Sequence, residues 1–153
     1  MAEFPDVREL IPHRDPVLML GEVLAHDGKA TSVSVDVGSR QWLTNRDGSV
    51  SSWIALEYMA QAIAVHEGLL ERAEGRRPPR GFLLSTRDLR LDCARFASHE
   101  ALCVTAQRVR GRPGLGVLSH ACEVRIAAGE RRGRIVARGR ISVSVASGPA
   151  QAS

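Results

Sequence analysis

From Trp53 to Leu70 almost every position is apolar or favours a helix, with no proline and a single glycine, Gly68, near the end. A helix that is apolar on most sides is wrapped by the rest of its domain. The spacing predicts one over Ser52–Arg72, with Ser51 or Ser52 as its cap. Around this run the pattern switches to a period of two. Lys29 to Val37 alternates strictly, with Val33, Val35 and Val37 on one face and Ser32, Ser34 and Asp36 on the other. The apolar run Val17 to Ala25 ends at His26-Asp27-Gly28, a turn signal, so the two segments form a hairpin. Ahead of it, Phe4 to Ile11 reads as a short helix closed by Pro12. The polar stretch Gly38 to Val50 reads as a loop. After the long helix come a charged, proline-rich connector, Glu74 to Gly81, and four strands over Phe82–Asp92, Ala101–Arg110, Val117–Ile126 and Arg134–Val145. Turn signals at Gly111-Arg112-Pro113-Gly114 and Ala128-Gly129-Glu130 separate them. The expected architecture is α+β, a mainly antiparallel sheet wrapped around one long central helix. It occupies one domain over residues 1–146, and 147–153 form a small, polar tail expected to be disordered. One helix against one sheet face makes a thin core, so the far face or a sheet edge is expected to meet a second subunit.

Composition narrows the function classes. A chain of 153 residues with 44% apolar residues fits one domain with a real core. No segment approaches the roughly 20 apolar residues of a membrane span, and Met1 to Glu9 lacks a signal-peptide core. A cytoplasmic protein without membrane contact is expected. Cys93, Cys103 and Cys122 are odd in number and lack CxxC spacing, so they read as reduced residues, and neither metal nor cofactor is expected. The formal charge of +4 does not make a nucleic-acid binder. The arginines are spread from Arg8 to Arg140, and aromatic residues for base stacking amount to only 4%. The run Arg76-Arg77-Pro78-Pro79-Arg80 is a solvated loop or a docking point for an acidic protein partner.

Within the apolar helix, Glu57 and Gln61 stand four residues apart on one face. A buried carboxylate must be satisfied by partners or become neutral, and such a group is a useful acid or base. His66 lies nine residues beyond Glu57, about 13 Å along the axis at 1.5 Å per residue, too far to act on the same substrate atom. His99 and His120 read as structural or solvated.

Leu10-Ile11-Pro12-His13-Arg14-Asp15-Pro16-Val17-Leu18-Met19-Leu20 resembles the N-terminal "LPHRxPxLL" signature of 3-hydroxyacyl-ACP dehydratases. Leu56-Glu57-Tyr58-Met59-Ala60-Gln61-Ala62 resembles their "EAMAQ" central-helix motif, and Gly81 to Leu84 their strand after the helix. The variant wording is most similar to dehydratase-like proteins of aryl-polyene and related polyketide-type clusters. The resemblance spans Val7 to Val145 and implies a hotdog fold. It further implies dehydration of 3-hydroxyacyl thioesters held on an acyl carrier protein, at a site shared between two hotdog subunits in a homodimer or heterodimer. Glu57 matches the family's catalytic glutamate. Ser52 falls where the family has a helix-start glycine whose backbone faces the thioester oxygen. Trp53, Gln61 and His13 are the further candidate substrate contacts. The family's histidine, in a "GHFP" motif, has no counterpart: the stretch here is Gln41-Trp42-Leu43-Thr44-Asn45-Arg46-Asp47. That departure leaves two other readings beside an autonomous dehydratase. One is a hotdog thioesterase that uses the carboxylate alone, the other a non-catalytic partner subunit of an active dehydratase.

Overall fold

Both periodicities are realised in a computed structural model that describes residues 3–39, 41–77, 80–111 and 116–146. In chain order the elements are α1 (Val7–Leu10), β1 (Val23–His26), β2 (Ala30–Asp36), β3 (Val50–Ser51), α2 (Ala55–Ala73), β4 (Arg80–Leu91), β5 (Arg95–Phe96), β6 (Ala101–Arg110), β7 (Val117–Ile126) and β8 (Ile135–Ala146). Six strands form one antiparallel sheet in the order β1-β2-β6-β7-β8-β4, and β3 pairs with β5 in a separate ribbon. Alternate residues of the sheet point at α2: Val33 and Val35 from β2, Leu102 and Val104 from β6, Leu118 and Val124 from β7, and Ile141 from β8 are all buried. They meet Met59, Ala62, Ile63 and Val65 of α2, which are buried in turn. Phe96 of β5 is fully buried and its ring stacks on Tyr58 at 6.4 Å between centroids. Among the described residues no helix is long and apolar enough to cross a membrane.

Local chemistry explains where the elements depart from the sequence pattern. The run Val17 to Ala25 becomes strand only at Val23, because the Met19 amide donates to the Gln61 side chain at 2.9 Å in place of a neighbouring strand. Neither Ser51 nor Ser52 caps α2 with its side chain. The chain enters through a 3₁₀ turn, Ser52–Ile54, and the Ser52 amide donates to the Ala94 carbonyl at 3.0 Å. The expected loop from Gly38 onward starts and continues in two further 3₁₀ turns, at Val37–Ser39 and Gln41–Leu43, and gives way to β3 at Val50. The β3–β5 ribbon is two residues wide on each strand, too short for a period to announce it. Pro78, Pro79, residues 112–114 of the expected turn and the tail 147–153 lie outside the described residues.

Gly68 is where α1 rests on α2. A Cβ there would stand 2.5 Å from the Leu10 carbonyl oxygen. Overpacking of this kind costs about 1–3 kcal/mol, so Gly68→Ala is expected to lower the melting temperature by several degrees. Unchanged melting would mean that α1 can lift off the helix without loss.

Candidate functional site

Glu57 lies in the first turn of α2, where the exposed amides of the helix start favour an anion. It is half-buried, and its Oε1 accepts a hydrogen bond from Gln61 Nε2 at 2.8 Å. Gln61, one turn on and fully buried, is completely engaged. Its amide oxygen accepts from the Met19 backbone at 2.9 Å, and its amide nitrogen also donates to the Val17 carbonyl at 2.9 Å. The sequence pair is thus a clamp. Gln61 ties the central helix to the N-terminal segment and holds Glu57 in one orientation. Among the described residues Glu57 hydrogen-bonds Gln61 and no histidine.

The segment that receives this clamp is itself folded locally. Arg14 donates to the carbonyls of Ile11 (2.9 Å) and His13 (2.8 Å), and its own carbonyl accepts from the amides of Val17 and Leu18. His13 is half-buried, and its Nδ1 is enclosed without a hydrogen-bond partner among the described residues. Trp42 reaches the same segment, its indole N–H donating to the Pro16 carbonyl at 3.2 Å. The stretch that lacks the family histidine therefore packs beside the residues that anchor Gln61. A tryptophan in a largely polar loop is the sequence signal for this contact.

Ser52 and Trp53 border a cavity of about 570 Å³ at the start of α2, together with Ser51, Leu91, Asp92, Cys93 and Ala94. Ser52 is buried and its amide is engaged with Ala94, whereas the Trp53 side chain is 67% exposed. The first amides of a helix have no partner within it, and after Ser52 the next in line are those of Trp53 and Ile54. Glu57, Gln61 and His13 do not line this cavity within one chain. The structure thus joins Glu57 to Gln61 and Ser52 to Trp53 without closing them into one pocket.

Asp47, the carboxylate of the polar loop nearest the helix start in sequence, is engaged locally. Asp47 Oδ1 accepts from the Ser49 hydroxyl (2.6 Å) and amide (3.0 Å), and Asp47 Oδ2 lies 3.5 Å from Arg95. The hydrogen bond from the Ser49 hydroxyl, with that from its amide, holds the Asp47 carboxyl below the usual range, which weakens it as a base. Asn45 closes the same turn onto Ser49.

Three histidines instead gather at the other end of α2, brought together from β1, α2 and β7. Glu67 accepts a two-pronged bond from Arg108, with Nε at 3.0 Å, and a third from His120 Nε2 at 2.8 Å. Burial pushes the Glu67 carboxyl up, but the bonds from His120 and Arg108 outweigh it and hold it below the ordinary range. His66 Nδ1 shares the Thr31 hydroxyl with His26 Nδ1, at 2.7 and 2.8 Å. Burial pushes the His66 imidazole down to about 4. Its signal was in the sequence: Arg108 and His120 stand in phase with the inward-facing residues of β6 and β7. As the spacing required, none of this touches Glu57. Cys93, Cys103 and Cys122 are free thiols. Among the described residues no group of three or more His, Cys, Asp or Glu is placed to hold a metal ion.

Comparison with known proteins gives a family and a fold. The ApeP-like family, ApeP dehydratase, matches over residues 5–152. No curated protein sequence matches. Among solved structures, a chain of the dehydratase heterocomplex ApeI:P from Xenorhabdus doucetiae superposes with a TM-score of 0.85 at 22% identity, over 95% of this chain and 93% of that one. Zebra fish thioesterase superfamily member 2 gives a TM-score of 0.64 at 17% identity, covering 89% of this chain and 88% of that one. A hypothetical thioesterase from Streptococcus pneumoniae TIGR4, solved with coenzyme A, gives 0.62 at 12% identity, covering 84% and 88%. The hotdog fold expected from the sequence is the observed one.

Proposed function

The chain belongs to the ApeP-like dehydratase family, and from that premise we propose that it is the carboxylate-bearing subunit of a two-subunit dehydratase. The substrates are 3-hydroxyacyl chains on an acyl carrier protein, in aryl-polyene or related polyketide-type synthesis. Dehydration requires a base for the α-proton and an acid for the departing hydroxyl. Glu57 supplies one of these groups, and a second hotdog subunit supplies the imidazole. The observation that carries this reading is the clamped, half-buried Glu57 with no histidine bonded to it.

Several features support the remaining roles. The amides of Trp53 and Ile54, at the positive end of α2, are donors for the thioester oxygen, where charge builds up as the α-proton leaves. The Trp53 indole and Ser52 offer contact area for the carrier arm or the acyl chain, and His13 Nδ1 offers one polar group. Gln61 is a positioning residue. The partner's place is β4. It is one of the two edge strands of the sheet, it is exposed over most of its length, and it carries Phe82 at 67%, Leu83 at 45% and Leu84 at 54% exposure. An apolar, unpaired edge of this kind pairs with another chain. A partner strand there would continue the sheet, as a homodimer or, with the histidine-bearing subunit, a heterodimer.

The test is to incubate the purified chain with a 3-hydroxyacyl carrier protein, alone and with a hotdog subunit carrying the family histidine. Mass spectrometry follows loss of water and loss of the acyl group separately. Dehydration is expected only in the mixture, with the acyl group retained. Dehydration by the chain alone, at the roughly 1–10³ s⁻¹ of competent enzymes, would overturn the shared site. Release of the acyl group would make the protein a thioesterase.

A further inference from the structure

On the sheet face turned away from α2, Arg87 of β4, Arg110 of β6 and Arg140 of β8 converge on a depression of about 200 Å³ that they share with Ser85, Ser119 and Ser142. We propose that this depression is a binding site for a phosphate group, distinct from the Glu57 site.

The first argument is charge. The lining is three guanidinium groups and three hydroxyls, with no carboxylate. Arg87 and Arg140 are directly opposite each other across β4 and β8, and like charges in that register repel. Arg125, farther along this face, is neutralised: it donates to Glu123 at 2.9 Å and to the Gly133 carbonyl at 3.0 Å. The three pocket arginines make no hydrogen bond or ion pair with any described residue.

The second argument is register, and it is independent of charge. Inward and outward positions alternate along a strand, and one extra residue reverses everything beyond it. Arg108 points inward to Glu67, so without interruption Arg110 would point inward as well. A register shift between Arg108 and Arg110 instead sets Arg110 opposite Ser119 on the outer face. A shift between Leu83 and Ser85 does the same for Ser85, which stands opposite Ser142, whereas Leu83 stands opposite the inward-facing Val143. A third shift, between Arg87 and Arg90, contains Asp88 at φ 53°, the one described non-glycine residue in the left-handed region. Three irregularities in two strands thus border one depression, and two of them deliver its side chains. Bulges that re-aim side chains gather at functional sites.

The chemistry selects the ligand class. Guanidinium forks donate in pairs to the oxygens of a tetrahedral oxyanion, and serine hydroxyls take up the rest. The Ser119 and Ser142 hydroxyls hydrogen-bond each other at 3.0 Å, which leaves the pair one hydroxyl proton to donate to a ligand oxygen. A phosphate bound there also screens the Arg87–Arg140 repulsion.

Calorimetric titration of the purified chain at constant ionic strength tests the proposal, with inorganic phosphate, 4′-phosphopantetheine and adenosine 3′,5′-bisphosphate as separate ligands. Saturable binding of one ligand per chain is expected. Arg87→Gln and Arg140→Gln should each weaken it about tenfold, the loss of one or two charge-assisted bonds. Arg125→Gln should leave it unchanged. Without ligand, Arg140→Gln should melt no lower than the parent, because it removes a repulsion. Tighter binding of one organic phosphate supports the site and names its source. Equal binding of all three supports a site for free phosphate. Unsaturable uptake of every ligand, or the same loss in Arg125→Gln as in the pocket variants, would overturn it.

Discussion

Glu57→Gln is expected to lower the dehydration rate of the assembled enzyme by about 10²–10⁴, the range for losing a general acid or base. The substitution is discriminating because of how Gln61 holds this position. Gln61 Nε2 donates to Glu57 Oε1 at 2.8 Å, and a glutamine carbonyl at position 57 accepts the same bond. The clamp from α2 to Val17 and Met19 therefore survives, and what disappears is the titratable group. Melting temperature and binding to the second subunit should be unchanged, while turnover with a 3-hydroxyacyl carrier protein falls. Full turnover in the variant would remove Glu57 from the chemistry. A fall in melting temperature with turnover retained would make Glu57 a structural carboxylate.

The fold was legible because its two periods do not overlap. Apolar residues crowd Trp53 to Leu70 with no strand-like alternation, and Val33, Val35 and Val37 alternate with nothing helical about them. Glu57 and Gln61 were legible as a pair from a spacing of four, but their meaning was not. What holds them is the backbone of Val17 and Met19, more than forty residues away in sequence, and no local pattern records such a contact. The expected serine cap failed for a similar reason, since the Ser52 amide is claimed by Ala94, which stands just ahead of β5 and far along the chain. The outward turn of Ser85 and Arg110 depends on where the strands slip, and a period-two reading carries through such slips unaware. An apolar helical run around Glu57 predicts a buried carboxylate. Within one chain it is half-buried, because the apolar run around it covers one side only.

Arg108→Met is expected to destabilise the chain by about 3–5 kcal/mol, the usual penalty for orphaning one member of a buried ion pair. Glu67 is 4% exposed and receives three hydrogen bonds, two of them from Arg108. Against a total stability of about 5–15 kcal/mol for a domain, the loss is large. Adding Glu67→Gln should recover much of it, because a neutral amide still accepts from His120 Nε2 and no charge is left uncompensated. Urea denaturation of the single and double variants decides the matter: a double variant no more stable than Arg108→Met would mean that the arginine acts through packing of its stem and not through its charge. The same cluster sets a pH dependence. His66 is held near 4 against an ordinary 6.5, so below 6.5 the unfolded chain binds the proton that the folded chain refuses, and stability falls with falling pH. At about 1.4 kcal/mol per pH unit, some 2 kcal/mol should be lost between pH 6.5 and 5. His26, also pushed down by burial, acts with the same sign. Glu67 acts in a different window. Its carboxyl is held below its ordinary 4.5, so its contribution is intact above that pH and is lost only as more acid conditions protonate it. Stability in urea that stays flat from pH 6.5 to 5 would show that the His66 imidazole accepts its proton within the fold.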